Sequence, residues 1–67
     1  MVALYYRGKK LITDADFDNA ILFGLKVEVY QQGEPLDPGG TIESHTKESV
    51  KINNSYFLKR NNEFIVR

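Results

Sequence analysis

Regular alternation of apolar and polar residues is the feature that most limits what this chain can fold into. Leu25, Val27 and Val29 are each separated by a single residue, a period of two that puts alternate side chains on one face of a strand. From Thr41 onward the same kind of pattern predicts four more strands, over 41–46, 49–52, 55–59 and 63–66. The sequence therefore predicts a mainly β chain.

Two pairs of asparagines separate the last three predicted strands. Asn53-Asn54 and Asn61-Asn62 are typical of tight reversals, because asparagine tolerates the left-handed backbone that type I′ hairpin turns require. If both turns preserve the alternation, the even-numbered residues form one buried face. These residues are Val50, Ile52, Tyr56, Leu58, Phe64 and Val66.

The N-terminal part predicts a strand over about 2–6, a turn over 7–10 and then a short helix. Thr13 and Asp16 have the spacing of a capping box, which predicts that the helix begins there and runs for about ten residues. Gly24 is a suitable stop. Phe17, Ala20 and Ile21 would form the apolar face of this helix.

Glycine and proline are concentrated between residues 31 and 40, which include Gly33, Pro35 and the run Pro38-Gly39-Gly40. Prolines lack the amide donor of a sheet ladder and glycines loosen the backbone. The sequence therefore predicts a flexible loop over 31–40.

These elements predict an α+β fold in a single small domain over 1–67. The expected architecture is a small, strongly curved antiparallel sheet or a partly open SH3-like barrel, with one short helix near the N-terminus. Shapes of this kind carry many unrelated functions, so the fold alone assigns none.

Composition excludes several kinds of site. The 67 residues contain no cysteine and one histidine, which removes disulfides, thiol nucleophiles and zinc centres. Ser44 and His45 are adjacent on a predicted strand, so their side chains point to opposite faces and cannot form a nucleophile and base. We expect no catalysis, no metal and no cofactor.

The segment 14–19 opens with the alternate aspartates of a calcium loop but departs from the rest of that motif. Asn19 stands where the loop needs glycine, and Leu25 stands where it needs a glutamate. Helix capping is the simpler interpretation of these carboxylates.

The expected location is the cytoplasm, without membrane contact. The start of the chain lacks the basic and apolar segments of a secretory leader. The longest apolar stretch, residues 20–23, is too short to cross a bilayer.

Charge is balanced overall but unevenly distributed. Nine basic and nine acidic residues cancel, whereas residues 1–10 and 51–67 are each basic and residues 11–50 are acidic. If the first and last strands lie side by side, a basic patch forms from Arg7, Lys9, Lys10, Lys51, Lys59, Arg60 and Arg67.

The preferred functional hypothesis is a noncatalytic binding or accessory module that contacts another protein or a second copy of itself through a curved sheet face. Its candidate anchors are the aromatic residues Tyr5, Tyr6, Tyr30 and Phe57. An exposed edge strand would add backbone pairing to this interface. The alternative is weak nucleic-acid binding, in which the basic patch contacts phosphates and Tyr5 and Phe57 stack on bases.

Overall fold

The computed structural model describes residues 5–67, which form one helix and five strands. The helix is α1 (Asp14–Leu22), and the strands are β1 (Lys26–Gln31), β2 (Glu34–His45), β3 (Ser49–Ile52), β4 (Ser55–Leu58) and β5 (Glu63–Val66). The strand predicted over 2–6 lies mostly outside the described residues, and Tyr5 and Tyr6 do not belong to a strand.

The five strands form one antiparallel sheet in the order β4-β3-β2-β1-β5. β4 and β5 therefore occupy opposite ends of the sheet, and the sheet does not close into a barrel. A hairpin of β4 and β5 around Asn61-Asn62, as the sequence predicts, is wrong. β5 pairs instead with β1, because that register brings Phe64 and Val66 beside Val29 and Val27 in the core.

The predicted helix is confirmed, including its start. The Thr13 hydroxyl accepts from the Asp16 amide at 3.1 Å, and the Asp16 carboxylate accepts from the Thr13 amide at 3.1 Å. These two bonds satisfy amides that the first turn leaves unpaired. Phe17 and Ala20 are buried, but Ile21 lies at the margin of the apolar face and is exposed.

The loop predicted over 31–40 is replaced by a tight turn and the first half of β2. Gln32 and Gly33 both have positive φ, so they form the two-residue turn that joins β1 to β2. Gln31 and Glu34 flank this turn and make the first hydrogen-bonded pair, which leaves Pro35 in a position whose nitrogen faces away from β1. Proline is compatible with a strand at such a position.

β2 is long because it serves two partners in succession. Residues 34–41 pair with β1 and residues 42–45 with β3. The register shifts in both pairings, and bulges of this kind bend a strand. At Gly39, where φ is 76°, a side-chain Cβ would overlap the Val27 carbonyl. Only glycine permits this close approach of β1 and β2.

The predicted alternation is right for β3 and β5 but wrong for β4. Val50, Ile52, Phe64 and Val66 are buried, and the other core residues are Leu11, Phe17, Ala20, Val27, Val29 and Ile42.

In β4 the even-numbered Tyr56 and Leu58 are exposed. The two-residue turn Asn53-Asn54, with φ of 51° and 64°, places Ile52 opposite Ser55 and Val50 opposite Phe57. Paired residues share a face, so the odd-numbered residues of β4 face the core.

Candidate functional site

The aromatic residues predicted as anchors are mostly occupied within the molecule. The Tyr5 hydroxyl donates to Asp16 Oδ1 at 3.1 Å and accepts from Asn19 Nδ2 at 2.8 Å, so its ring lies against the helix. Phe57 packs against the core and is partly buried, so its predicted role as a stacking surface stays a prediction. Tyr30 is half-buried within β1, and Tyr6 is exposed.

Within the described residues, the two predicted basic segments meet where residues 8–11 lie along β5. Gly8 and Leu11 amides donate to the Val66 and Phe64 carbonyls, and the Val66 amide donates to the Lys9 carbonyl. Lys10, Lys59 and Arg60 line one groove of about 500 Å³.

Carboxylates accompany three of the seven basic side chains that the sequence grouped into a patch. Lys10 pairs with Glu63 at 3.1 Å, and Lys59 pairs with Asp14 at 3.3 Å. Lys51 lies on β3, with its ammonium 3.9 Å from the Glu43 carboxylate.

The remaining cations have other neighbours. Lys9 lies over the Tyr5 ring, and Arg67 donates to the Pro38 carbonyl. Within residues 5–67 no ion pair includes Arg7 or Arg60. Three of the seven predicted phosphate contacts therefore lie beside a neutralising carboxylate, which weakens the basic patch on which the nucleic-acid alternative depends.

His45 belongs to a chain of polar contacts that the sequence did not predict. Its Nε2 lies 2.6 Å from Asp18 Oδ1, and its Nδ1 lies 3.0 Å from the Lys59 ammonium, which also contacts Asp14. An ammonium only donates, so Nδ1 accepts and Nε2 carries the proton given to Asp18. The Lys59 Nζ also lies 4.3 Å from the centre of the Phe17 ring.

We call these contacts of Lys59 with Asp14, Phe17 and His45 the Lys59 clamp. The clamp joins the turn after β4 to α1 and to the end of β2. The His45 ring hydrogen-bonds to Asp18 on one side and to Lys59 on the other, so these contacts anchor α1 to β2 and to the turn after β4.

Among residues 5–67, four stretches of strand have only one strand neighbour: β5, β4, and both parts of β2, because residues 34–41 pair with β1 and residues 42–45 with β3. Residues 42–45 are contacted by α1, where His45 lies 2.6 Å from Asp18. The outer side of β5 is covered by residues 8–11. The first half of β2 carries Pro35 and Pro38, and prolines blunt an edge because they offer no amide donor. β4 contains neither proline nor charge, and among residues 5–67 no strand pairs with its far side.

Backbone groups of β4 alternate in direction, and their directions follow from the hairpin register. Ile52 and Ser55 flank a two-residue turn and so exchange both hydrogen bonds, as do Val50 and Phe57. The Lys59 amide continues this alternation by donating to the Glu48 carbonyl at 2.8 Å. The N–H and C=O groups of Tyr56 and Leu58 consequently face away from β3, and we call this the β4 edge.

Exposed apolar side chains accompany the β4 edge. Tyr56 is 69% exposed and Leu58 is 40% exposed. Leu58 also lines a groove of about 370 Å³ that contains Ile12, which is itself 72% exposed. Lys47, Glu48, Asp14, Lys59 and Arg60 form the rest of its wall. An extended chain lying along β4 would meet both backbone partners and apolar contacts.

Sequence reasoning missed Tyr56 and Leu58 because it assigned them to the core. The signal that could have found them is the length of the Asn53-Asn54 turn, since a two-residue turn moves the buried face from even to odd positions.

Residues 5–67 contain no group of three or more His, Cys, Asp or Glu side chains suited to holding a metal ion. In that same range no helix has the length and apolar character needed to span a bilayer.

Comparison with known proteins returned no similarity: no family model, no curated protein and no solved structure matches this chain.

Proposed function

We propose that this chain is a noncatalytic interaction module that associates with a partner strand along the β4 edge. The observation that carries the proposal is the contrast among the strand edges. Two edges are covered or blocked by proline, whereas β4 presents unpaired backbone groups. Main-chain hydrogen bonds supply affinity in this mode of recognition, and side chains beside the edge supply selectivity.

Tyr56 and Leu58 take the anchoring role in this proposal. Both lie on the face of the sheet opposite the core, next to the backbone groups that a partner would use. A tyrosine provides a large contact area with few rotatable bonds. The proposed arrangement is SH3-like in two respects: the sheet bends through the long strand β2, and the short β3–β4 hairpin at one end of the sheet is accessible.

The test is selection of extended peptides from a random library on the immobilised protein, followed by binding measurements and amide shift mapping. We expect the selected peptides to shift the amides of Tyr56 and Leu58 most. Tyr56→Pro removes an outward donor without removing a hairpin bond, and it should weaken binding about tenfold or more. Leu58→Lys, which keeps every backbone donor, should also weaken binding by placing charge at the edge.

Leu36→Lys is the matched control, because Leu36 is an exposed leucine on β2 rather than β4. It should leave affinity unchanged. The proposal is wrong if folded Tyr56→Pro and Leu58→Lys bind the selected peptides as the parent does, or if the shifted amides lie elsewhere.

A further inference from the structure

We infer that the partner strand is β4 of a second copy of this chain, in an antiparallel pair with Tyr56 opposite the partner's Tyr56. This inference rests on the proposed function, since it names the occupant of the β4 edge. A two-fold axis passing beside Tyr56 would relate the copies and extend both sheets into one.

The pattern of unsatisfied backbone groups selects this register. A two-fold axis can pass beside a residue that presents both its N–H and its C=O to its own equivalent, and Tyr56 is such a residue. The Leu58 carbonyl already accepts from the Asn61 amide at 3.2 Å and from Asn62 Nδ2 at 2.9 Å. Both its lone pairs are therefore used, which disfavours a register centred on Phe57 that would pair Tyr56 with Leu58.

Side chains on the exposed face also suit a pair of identical strands. In this register the two Tyr56 side chains lie directly opposite one another on one face. The Lys51 ammonium lies 5.6 Å from the centre of the Tyr56 ring, so a cation already covers part of each aromatic surface. Pairing removes the rest of that surface from water.

Charge is complementary along the pair. Arg60 follows β4, and antiparallel pairing brings it to the partner's Asn53-Asn54 turn. At that turn the Glu43 carboxylate accepts from the Asn54 amide at 2.9 Å. The cationic end of each strand thus approaches a carboxylate of the other copy, and the zero net charge of the chain adds no overall repulsion.

The interface is small, so the dimer should be weak. β4 has four residues, and contacts of this size belong to the low end of specific interfaces. We expect a dissociation constant of about 0.1 to 1 mM.

Sedimentation equilibrium over about 10 μM to 2 mM is the first measurement, and it should show a reversible monomer–dimer equilibrium. In a mixed sample of labelled and unlabelled protein, filtered NMR spectra should show intermolecular contacts at Tyr56. Tyr56→Pro should remain monomeric, and Leu36→Lys should dimerise as the parent does.

A single introduced cysteine gives a second, independent readout, because the chain has none of its own. Hydrogen-bonded antiparallel partners have Cα atoms about 5.5 Å apart, which a disulfide can bridge. Tyr56→Cys should oxidise to a disulfide-linked dimer faster than Ser44→Cys, whose exposed cysteine lies in β2.

A strictly monomeric parent at 2 mM, or intermolecular contacts that avoid β4, overturns the second-copy assignment. If peptides from the library still bind at Tyr56 and Leu58 in that case, the proposed function survives while this inference fails. If neither a second copy nor any peptide engages the β4 edge, both fail.

Discussion

Asp16 shows how much one carboxylate can organise. It accepts from the amides of Ile12 and Thr13 and from the Tyr5 hydroxyl. The pKa of Asp16 lies below its ordinary value of 3.8, chiefly because the Ile12 amide donates to the charged carboxylate. The start of α1 and the segment before it are thus held by the ionised form.

This lowered pKa predicts an acid-dependent contribution to stability. Because the folded pKa is lower than the unfolded one, the contribution is present above pH 3.8 and is lost as the pH falls through the folded pKa. Asp16→Asn should therefore be less stable than the parent at pH 7, with the difference shrinking toward about pH 2. Urea unfolding at several pH values measures this.

Thr13→Ala is the control for that experiment. It removes a neutral acceptor of the capping box and should cost about 1 kcal/mol, even where Asp16 is protonated. Parallel pH profiles of Asp16→Asn and the parent would contradict the assigned role of the carboxylate.

At the scale of elements, local sequence patterns predicted the helix, but they did not predict which strands pair with one another. α1 could be predicted because its capping bonds join residues three apart in the sequence. The first part of β2, residues 34–40, was missed because its prolines and glycines are typical of loops, whereas its end was predicted as a strand. A proline is compatible with a strand only where its nitrogen faces away from the neighbouring strand, and that direction is determined by the folded sheet.

The shifted alternation in β4 gives a direct mutational test. Phe57→Ala should lower the free energy of unfolding by about 2 kcal/mol, because Phe57 packs on the core while still half-exposed. Tyr56→Ala should cost no more than about 0.5 kcal/mol in the monomer. Thermal or urea unfolding at low protein concentration measures both. The opposite ranking would restore the even-numbered face that the sequence alone suggested.

Substitution of Gly39 tests how much the close approach of β1 and β2 at this residue contributes to stability. Gly39→Ala adds both a strained positive φ and an overlap with the Val27 carbonyl, so we expect a loss of more than about 3 kcal/mol. Gly33→Ala also has a positive φ but no neighbour within 4 Å of the added carbon, and it should cost about 1 kcal/mol. Equal losses in urea unfolding would show that close packing at Gly39 is unimportant.

At the scale of the whole molecule, the Lys59 clamp holds parts that are distant in sequence. The Lys59 side chain is 15% exposed and that of His45 is 11% exposed. Lys59→Met keeps an apolar stem over Phe17 but leaves His45 Nδ1 without its donor, so we expect a loss of about 1 to 2 kcal/mol.

A double-mutant cycle with His45→Asn separates this interaction from general packing. The coupling should exceed about 0.5 kcal/mol. Lys47→Met, in the exposed turn between β2 and β3, should stay within about 0.5 kcal/mol of the parent. Additive losses at Lys59 and His45 would argue against the clamp.

The candidate site likewise depends on the fold of the whole molecule. The sequence supplied the aromatic and basic residues, but no short motif states which strand ends up at an edge. Phe57 and Tyr56 are neighbours in the chain, and only the strand order and the register of one hairpin decide that the first packs inward and the second faces outward.

The Asn53-Asn54 turn has a further consequence for how such a chain can diversify. A single inserted codon that left this turn at two residues would shift β4 by one position against β3, placing Tyr56 rather than Phe57 opposite Val50 and so moving Tyr56 inward and Phe57 outward. Loop-length variation is usually regarded as harmless on protein surfaces. At this position such a shift would exchange the proposed recognition surface for part of the interior in one genetic event.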